Sequence, residues 1–271
     1  MSEVAVSELA SSLAPGTFSP APGPAPRHRM VAAQTAVEIR LLLRNGEQLT
    51  LTLVIPLLLL AGFTLENLVN LDTGLTRVDY LTPGIIALAV TSAALTSLAI
   101  TTGFDRRYGV LKRLGATSLS RSALITAKTL TVILVELTQA VIIIGVAFAL
   151  GWNPNARPVA IVAVPLLVLL GTAALSGLAL LMAGTLKAEV ALASANLLYV
   201  VLLGIGGAVF PLTKFPSAVQ PLLQLLPTGA LSTGLRDVLA HHTGLPVKDT
   251  ITLAIWAVIT ITAAARYFRW E

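Results

Sequence analysis

Six stretches of about 20 predominantly apolar residues, near 49–67, 81–103, 123–150, 158–184, 190–211 and 249–266, constrain this chain more than anything else in it. A helix of roughly that length crosses the hydrocarbon core of a bilayer, about 30 Å thick. A soluble domain cannot bury six such runs, because it must still cover its surface with polar groups. Of 271 residues, 55% are hydrophobic and 11% charged, with a mean hydropathy of +0.85, against about 25% charged in ordinary soluble domains. The expected fold is an all-α membrane protein with six transmembrane helices, its membrane domain occupying residues 30–271. The third stretch is long enough to project from the bilayer, and the sixth is short. Pro56 and Pro165 fall inside apolar runs, where neighbouring helices can satisfy the freed carbonyls.

Lysine and arginine set the expected orientation. The net charge is +5 and the pI about 9.9, but the basic residues lie between apolar segments, which points to lipid orientation and away from nucleic acid. If the N-terminus is cytoplasmic, the inner side holds Arg27, Arg29, Arg40, Arg44, Arg106, Arg107, Lys112, Arg113, Arg121, Lys128, Lys187, Arg266 and Arg269. The outer side keeps Arg77, Arg157, Lys214, Arg236 and Lys248. That bias predicts a multi-pass protein of the plasma membrane with both termini inside. Residues 1–29, punctuated by Pro15, Pro20, Pro22, Pro24 and Pro26, are expected to form a disordered cytoplasmic tail. They lack the basic start and continuous apolar run of a signal peptide. Residues 30–46 read as an interfacial helix with Val31, Ala32, Thr35, Ile39 and Leu42 on one face and Glu38, Arg40 and Arg44 largely elsewhere.

Between the second and third stretches lies a short amphipathic segment. At 100° per residue, Phe104, Tyr108, Leu111 and Gly115 share one side of a helix, with Arg106 and Arg113 nearly opposite. Two readings are open on periodicity: a basic loop resting on anionic lipid, or a two-faced helix fitting a groove on a soluble partner.

The run Arg106-Arg-Tyr-Gly-Val-Leu-Lys-Arg-Leu-Gly-Ala-Thr-Ser-Leu-Ser-Arg121, with Lys128 beyond it, resembles the signature segment of the ABC-2 type permease family. Leu81-Thr-Pro-Gly-Ile-Ile86 resembles the opening of that family's second span. Phe210-Pro-Leu and Leu225-Leu-Pro-Thr-Gly229, ending in Gly234-Leu-Arg236, resemble its re-entrant segment before the last span. The likeness runs over roughly residues 30–266, and its nearest flavour is the daunorubicin-resistance type of exporter. It implies the membrane subunit of an ATP-binding cassette exporter, not itself an enzyme, paired with a cytoplasmic ATP-binding subunit and with a second permease, a copy or a homologue. ATP and Mg would be bound by the partner, leaving this chain without a cofactor. The resemblance also makes the loop helix a coupling helix docking on the ATPase, with Phe104, Arg106, Arg107, Tyr108, Leu111, Lys112 and Leu114 at the contact. Many members carry Glu where Arg106-Arg107 stand, so the partner groove here is expected to be acidic.

Several polar residues lie inside the apolar runs. Glu136, with Gln139 one turn on, sits deep in the third, where a carboxylate costs on the order of 2.5–3.5 kcal/mol to insert and must face protein or a water-filled path. Either a translocation path or a helix–helix fastening accounts for it, and the same holds for Asn196 in the fifth. Glycines in the fourth and fifth runs read as packing surfaces. No Gly-x-x-x-x-Gly-Lys loop occurs, so the chain cannot hydrolyse ATP by that route. Residues 208–247, broken by Pro211, Pro216, Pro221 and Pro227, predict two short outer re-entrant helices near 217–226 and 229–242. His241 and His242 follow with no useful ligand spacing beyond Asp237, so a metal site is not expected; there is no cysteine. A secondary transporter driven by an ion gradient, or a membrane-embedded enzyme, is a competing class, but a single deep carboxylate and three histidines equip the chain poorly for either. Substrate identity is not legible in the sequence.

Overall fold

The computed structural model describes residues 25–46, 50–66, 74–154, 157–241 and 244–268. Regular structure among them is all helical. The helices are α1 (Arg27–Arg44), α2 (Thr50–Val54 in π form continuing as Ile55–Leu65), α3 (Arg77–Arg107, with a π stretch at Ser92–Ser97), α4 (Val110–Gly115) and α5 (Arg121–Ala149). After them come α6 (Ala160–Thr185), α7 (Ala188–Ile205), α8 (Gln220–Gln224), α9 (Pro227–Leu239) and α10 (Val247–Tyr267).

Five of these, α3, α5, α6, α7 and α10, are long and apolar enough to cross a bilayer. The first apolar stretch differs. Its helix covers residues 50–65, about 24 Å at 1.5 Å per residue, short of the roughly 30 Å core. Pro56 shapes its start. Proline has no N–H to return to the carbonyl four residues back, which here is that of Thr52. Gln139 Nε2 of α5 donates to that carbonyl at 2.7 Å. The Gln139 amide, open in the sequence between a path residue and a fastening, thus ties the third stretch to the first.

Helix α3 is the axis of the bundle: 78% of its most apolar 18-residue window is buried, and α2, α5, α6, α7 and α9 all pack against it. Its entry is capped by Thr76, whose Oγ1 accepts from the backbone N–H of Asp79. Its exit is a glycine stop: Gly109, at φ +69°, adopts the left-handed conformation that ends a helix cheaply only when no Cβ is present. The expected single helix over 104–115 is therefore two, α3 running to Arg107 and α4 starting at Val110, and the break rotates the predicted face apart. Tyr108 is exposed while Leu111 is buried.

At the far end of α3 the backbones approach more closely. A Cβ on Gly84 would fall on the carbonyl of Ala208, so only glycine admits the turn after α7 at this point. Gly207, at φ +68°, makes that turn. The expected short helices near 217–226 and 229–242 are α8 and α9, and α9 is inserted among α3, α6 and α10 with most of its residues buried.

One boundary and one helix face move. Of the expected tail, residues 1–24 lie outside the described residues, but residues 27–29 form the first turn of α1. Along α1, Val31 and Thr35 pack on α5 beside Ala123 and Ala127, as the predicted face requires, but Ala32 is exposed and Glu38 turns inward. The inward turn of Glu38 has an electrostatic cause, described next.

Candidate functional site

At one end of the bundle α1, the end of α3, α4 and the start of α5 converge on Lys128. Its ammonium lies 2.9 Å from Glu38 Oε1 of α1 and 2.7 Å from Asp105 Oδ2 of α3. The Lys128 side chain is 5% exposed, that of Glu38 14% and that of Asp105 25%. A buried ammonium is tolerated only when paired, and two carboxylates from two other helices supply the pairing. One cation thereby ties three helices together. By charge bias alone Lys128 is one more inner-side basic residue, at the start of the third apolar run. The available signal was an ionisable residue within an otherwise apolar run, which demands an acidic partner, but nothing local names that partner.

The residues expected on the loop helix divide by direction. Leu111 is corrected: at 2% exposure its side chain is spent inside the chain, anchoring α4 to the bundle. Leu114 is half-buried. Arg106 reaches across to the carbonyl of Leu186 at 2.5 Å, tying the end of α3 to the turn between α6 and α7. Arg107 pairs with Glu189 at the start of α7, and both are about half-exposed, so the pair contributes little by itself. Tyr108 is 64% exposed, stacked on Phe104 with ring centroids 5.9 Å apart and with the Arg107 guanidinium 5.7 Å from its own centroid. Lys112 and Arg113 are exposed. The corner between α3 and α4 thus carries an exposed aromatic tip under the Arg107 guanidinium, with Lys112 and Arg113 exposed on α4 and Leu111 packed beneath.

Midway along α5, Glu136 and Gln139 both face protein. Thr172 Oγ1 of α6 donates to Glu136 Oε2 at 2.7 Å, and the other carboxylate oxygen has no hydrogen-bond partner. Asn196 behaves otherwise: on α7 it is exposed, beside the exposed Leu197 and Val200, and it fastens no helix among the described residues.

At the opposite end Arg236 of α9, counted among the outer-side basic residues and within the expected helix near 229–242, is buried, at 6% exposure. Its Nη2 donates to the carbonyl of Gly207 at 2.9 Å, its Nε to that of Tyr80 at 3.3 Å, and the guanidinium lies 3.8 Å from the centroid of the Tyr80 ring. The fork of donors and the cation–π contact clamp the glycine turn onto α3. His241 Nδ1 and Asp237 Oδ1 lie 3.0 Å apart; His242 lies outside the described residues.

Apolar helices arranged about a deeply buried axis, with buried ion pairs and cations gathered toward the two ends and Glu136 buried between them, define a multi-pass helical membrane protein. Within that class the family is specific. The family model described as ABC-2 type transporter matches residues 31–240, most of the chain, and the chain belongs to that family. Comparison with curated proteins returns no match.

Proposed function

We propose that the chain is the permease subunit of an ATP-binding cassette exporter, moving a hydrophobic or amphiphilic substrate (a drug, lipid or glycan) across the plasma membrane. ATP and Mg are held and hydrolysed by a separate cytoplasmic subunit, and a second permease, identical or homologous, completes the transmembrane unit. In this reading both termini are cytoplasmic, α2 with its flanking residues makes a sixth crossing, and α8 and α9 dip into the outer leaflet as re-entrant helices. The α3–α4 corner is the docking element, and Asn196 faces either lipid or the second permease.

The observation that carries the reading is the corner itself. The exposed Tyr108 tip, under the Arg107 guanidinium, stands on a braced root, with Leu111 packed below and Arg106 held on the Leu186 carbonyl. A tether needs none of this, whereas an element that transmits force needs both an exposed contact and a stiff root. Aromatic and Arg residues are also the types that dominate interface energetics. Tyr108→Asp in the co-expressed complex tests it. Membrane insertion should be normal, while ATPase stimulation by the permease and transport both fall at least about tenfold, as loss of about 1.4 kcal/mol or more of docking energy requires. Full coupling in that variant would remove the docking role.

A further inference from the structure

A cavity of about 410 Å³ lies between α1, α3 and α5, within the range of small-molecule sites, about 300–1,000 Å³. Its two ends differ. Along α3 the lining runs from Tyr108 and Asp105 to Ala93, and along α5 from Lys128 to Val135. At 1.5 Å per residue Asp105 and Ala93 lie about 18 Å apart along the helix. That is close to the depth of one leaflet, half of a hydrocarbon core about 30 Å thick. The end at the α3–α4 corner carries the Glu38–Lys128–Asp105 cluster beside the stacked rings of Phe104 and Tyr108. The deep end is apolar, with Ala93, Val132 and Val135 in its wall.

The charges at the corner end do not balance. Two carboxylates share one ammonium, and no other charged side chain lines the cavity, which leaves one negative charge over. Lys128 takes up a single oxygen of each carboxylate, Glu38 Oε1 at 2.9 Å and Asp105 Oδ2 at 2.7 Å. Gln34 donates to the same Glu38 Oε1, at 3.0 Å. Glu38 Oε2 and Asp105 Oδ1 accept no hydrogen bond among the described residues, and neither is sealed from water. The two side chains keep 14% and 25% of their surface open. A partly buried carboxylate oxygen without a donor is costly, and a ligand bearing a positive N–H group removes that cost. Of the other polar side chains, Thr101 and Thr131 donate to carbonyls of their own helices, Asn45 and Ser97 have partners, and Tyr108 stands exposed at the rim.

Two open oxygens are too few for a divalent metal ion, which takes roughly six or more, and no group of three potential ligands gathers among the described residues. A single surplus charge above an apolar wall one leaflet deep matches an organic monocation with an apolar body.

We infer that this cavity binds a monocationic amphiphile, an alkylammonium whose N–H groups reach Glu38 and Asp105 while its chain lies along Leu98, Val132 and Val135. Binding needs neither the ATPase nor the second permease, so the site stands or falls apart from the exporter reading.

The test uses the full chain in phosphatidylcholine nanodiscs at neutral pH, with two photoactivatable diazirine probes of equal chain length, a dodecylamine and a dodecanol. The amine should label peptides holding Leu98 and Val132 saturably, at least about tenfold more tightly than the alcohol, as one charge-assisted hydrogen bond requires. Asp105→Asn and Glu38→Gln each leave Lys128 with one carboxylate and no surplus charge, so either should bring the amine down to the level of the alcohol. Should both fail to fold, Lys128→Met combined with Glu38→Gln and Asp105→Asn, which removes every charge of the cluster, should do the same. Asp237→Asn at the opposite end removes as much charge from the chain and should leave labelling unchanged. Absence of saturable amine labelling, equal affinity for amine and alcohol, an undiminished amine preference in the cluster variants, or an equal loss in Asp237→Asn would overturn the site.

Discussion

Replacing Lys128 by Ala removes the single cation that two carboxylates share, at 2.9 and 2.7 Å. With an effective dielectric of about 20, each of those pairs is worth about 6 kcal/mol of gross attraction. Most of that only offsets the desolvation of three charged groups. What the deletion exposes is the remainder: Glu38 and Asp105 left facing one another without a counter-ion. Breaking a buried pair in this way typically costs about 3–5 kcal/mol. Asp105 is a quarter exposed and can relax toward solvent, so the expected loss lies near the lower bound, about 3 kcal/mol. Equilibrium unfolding in mixed micelles, followed by tryptophan fluorescence, measures it. The control is Lys128→Met combined with Glu38→Gln and Asp105→Asn. Methionine keeps most of the volume and the amides keep hydrogen-bonding capacity without charge, so the triple variant should recover to within about 1 kcal/mol of wild type. A loss below about 1 kcal/mol in the single variant, or a triple variant no better than the single, would refute the reasoning that one ammonium holds the three helices.

Other expectations follow from the opposite end of the bundle and from topology. Gly84→Ala drives a methyl onto the Ala208 carbonyl and should cost about 1–3 kcal/mol, read as a lowered unfolding midpoint; a neutral result would mean the turn after α7 can retreat freely. Arg236→Lys keeps the charge but loses the fork that reaches the Gly207 and Tyr80 carbonyls, so a loss of about 1–3 kcal/mol is expected, together with faster proteolysis near residues 212–216. Lys112→Cys should react with an impermeant maleimide only from the cytoplasm and His241→Cys only from outside; the opposite pattern would invert the proposed orientation.

The helices themselves were legible. The third, fourth and sixth apolar runs, expected at 123–150, 158–184 and 249–266, became α5, α6 and α10 within a few residues, because a run of about 20 apolar residues declares its solvent wherever it sits. The break at Pro227 was visible for a similar reason, being the property of a single residue. The first stretch was less so: its length promised a span, but the helix described is 50–65. Gln139 stood out as a polar residue that must face protein or a water-filled path, but its bond to the Thr52 carbonyl was not legible.

What stayed hidden was every pairing. Lys128 meets Glu38 across 90 residues and Asp105 across 23, and Arg236 reaches Tyr80 across 156. Read in line, Lys128 and Arg236 are basic residues assigned to one side of the membrane and Glu38 a polar position of the first helix, with nothing to join them. The sequence determined alone that this chain lives in lipid as a set of helices, since hydrophobicity and helical period act over one element at a time. The tertiary structure alone decided which charges are buried, which way Tyr108 and Leu111 point, and where a cavity remains. Those outcomes depend on which helices become neighbours, and a buried charge has meaning only once its neighbours are known.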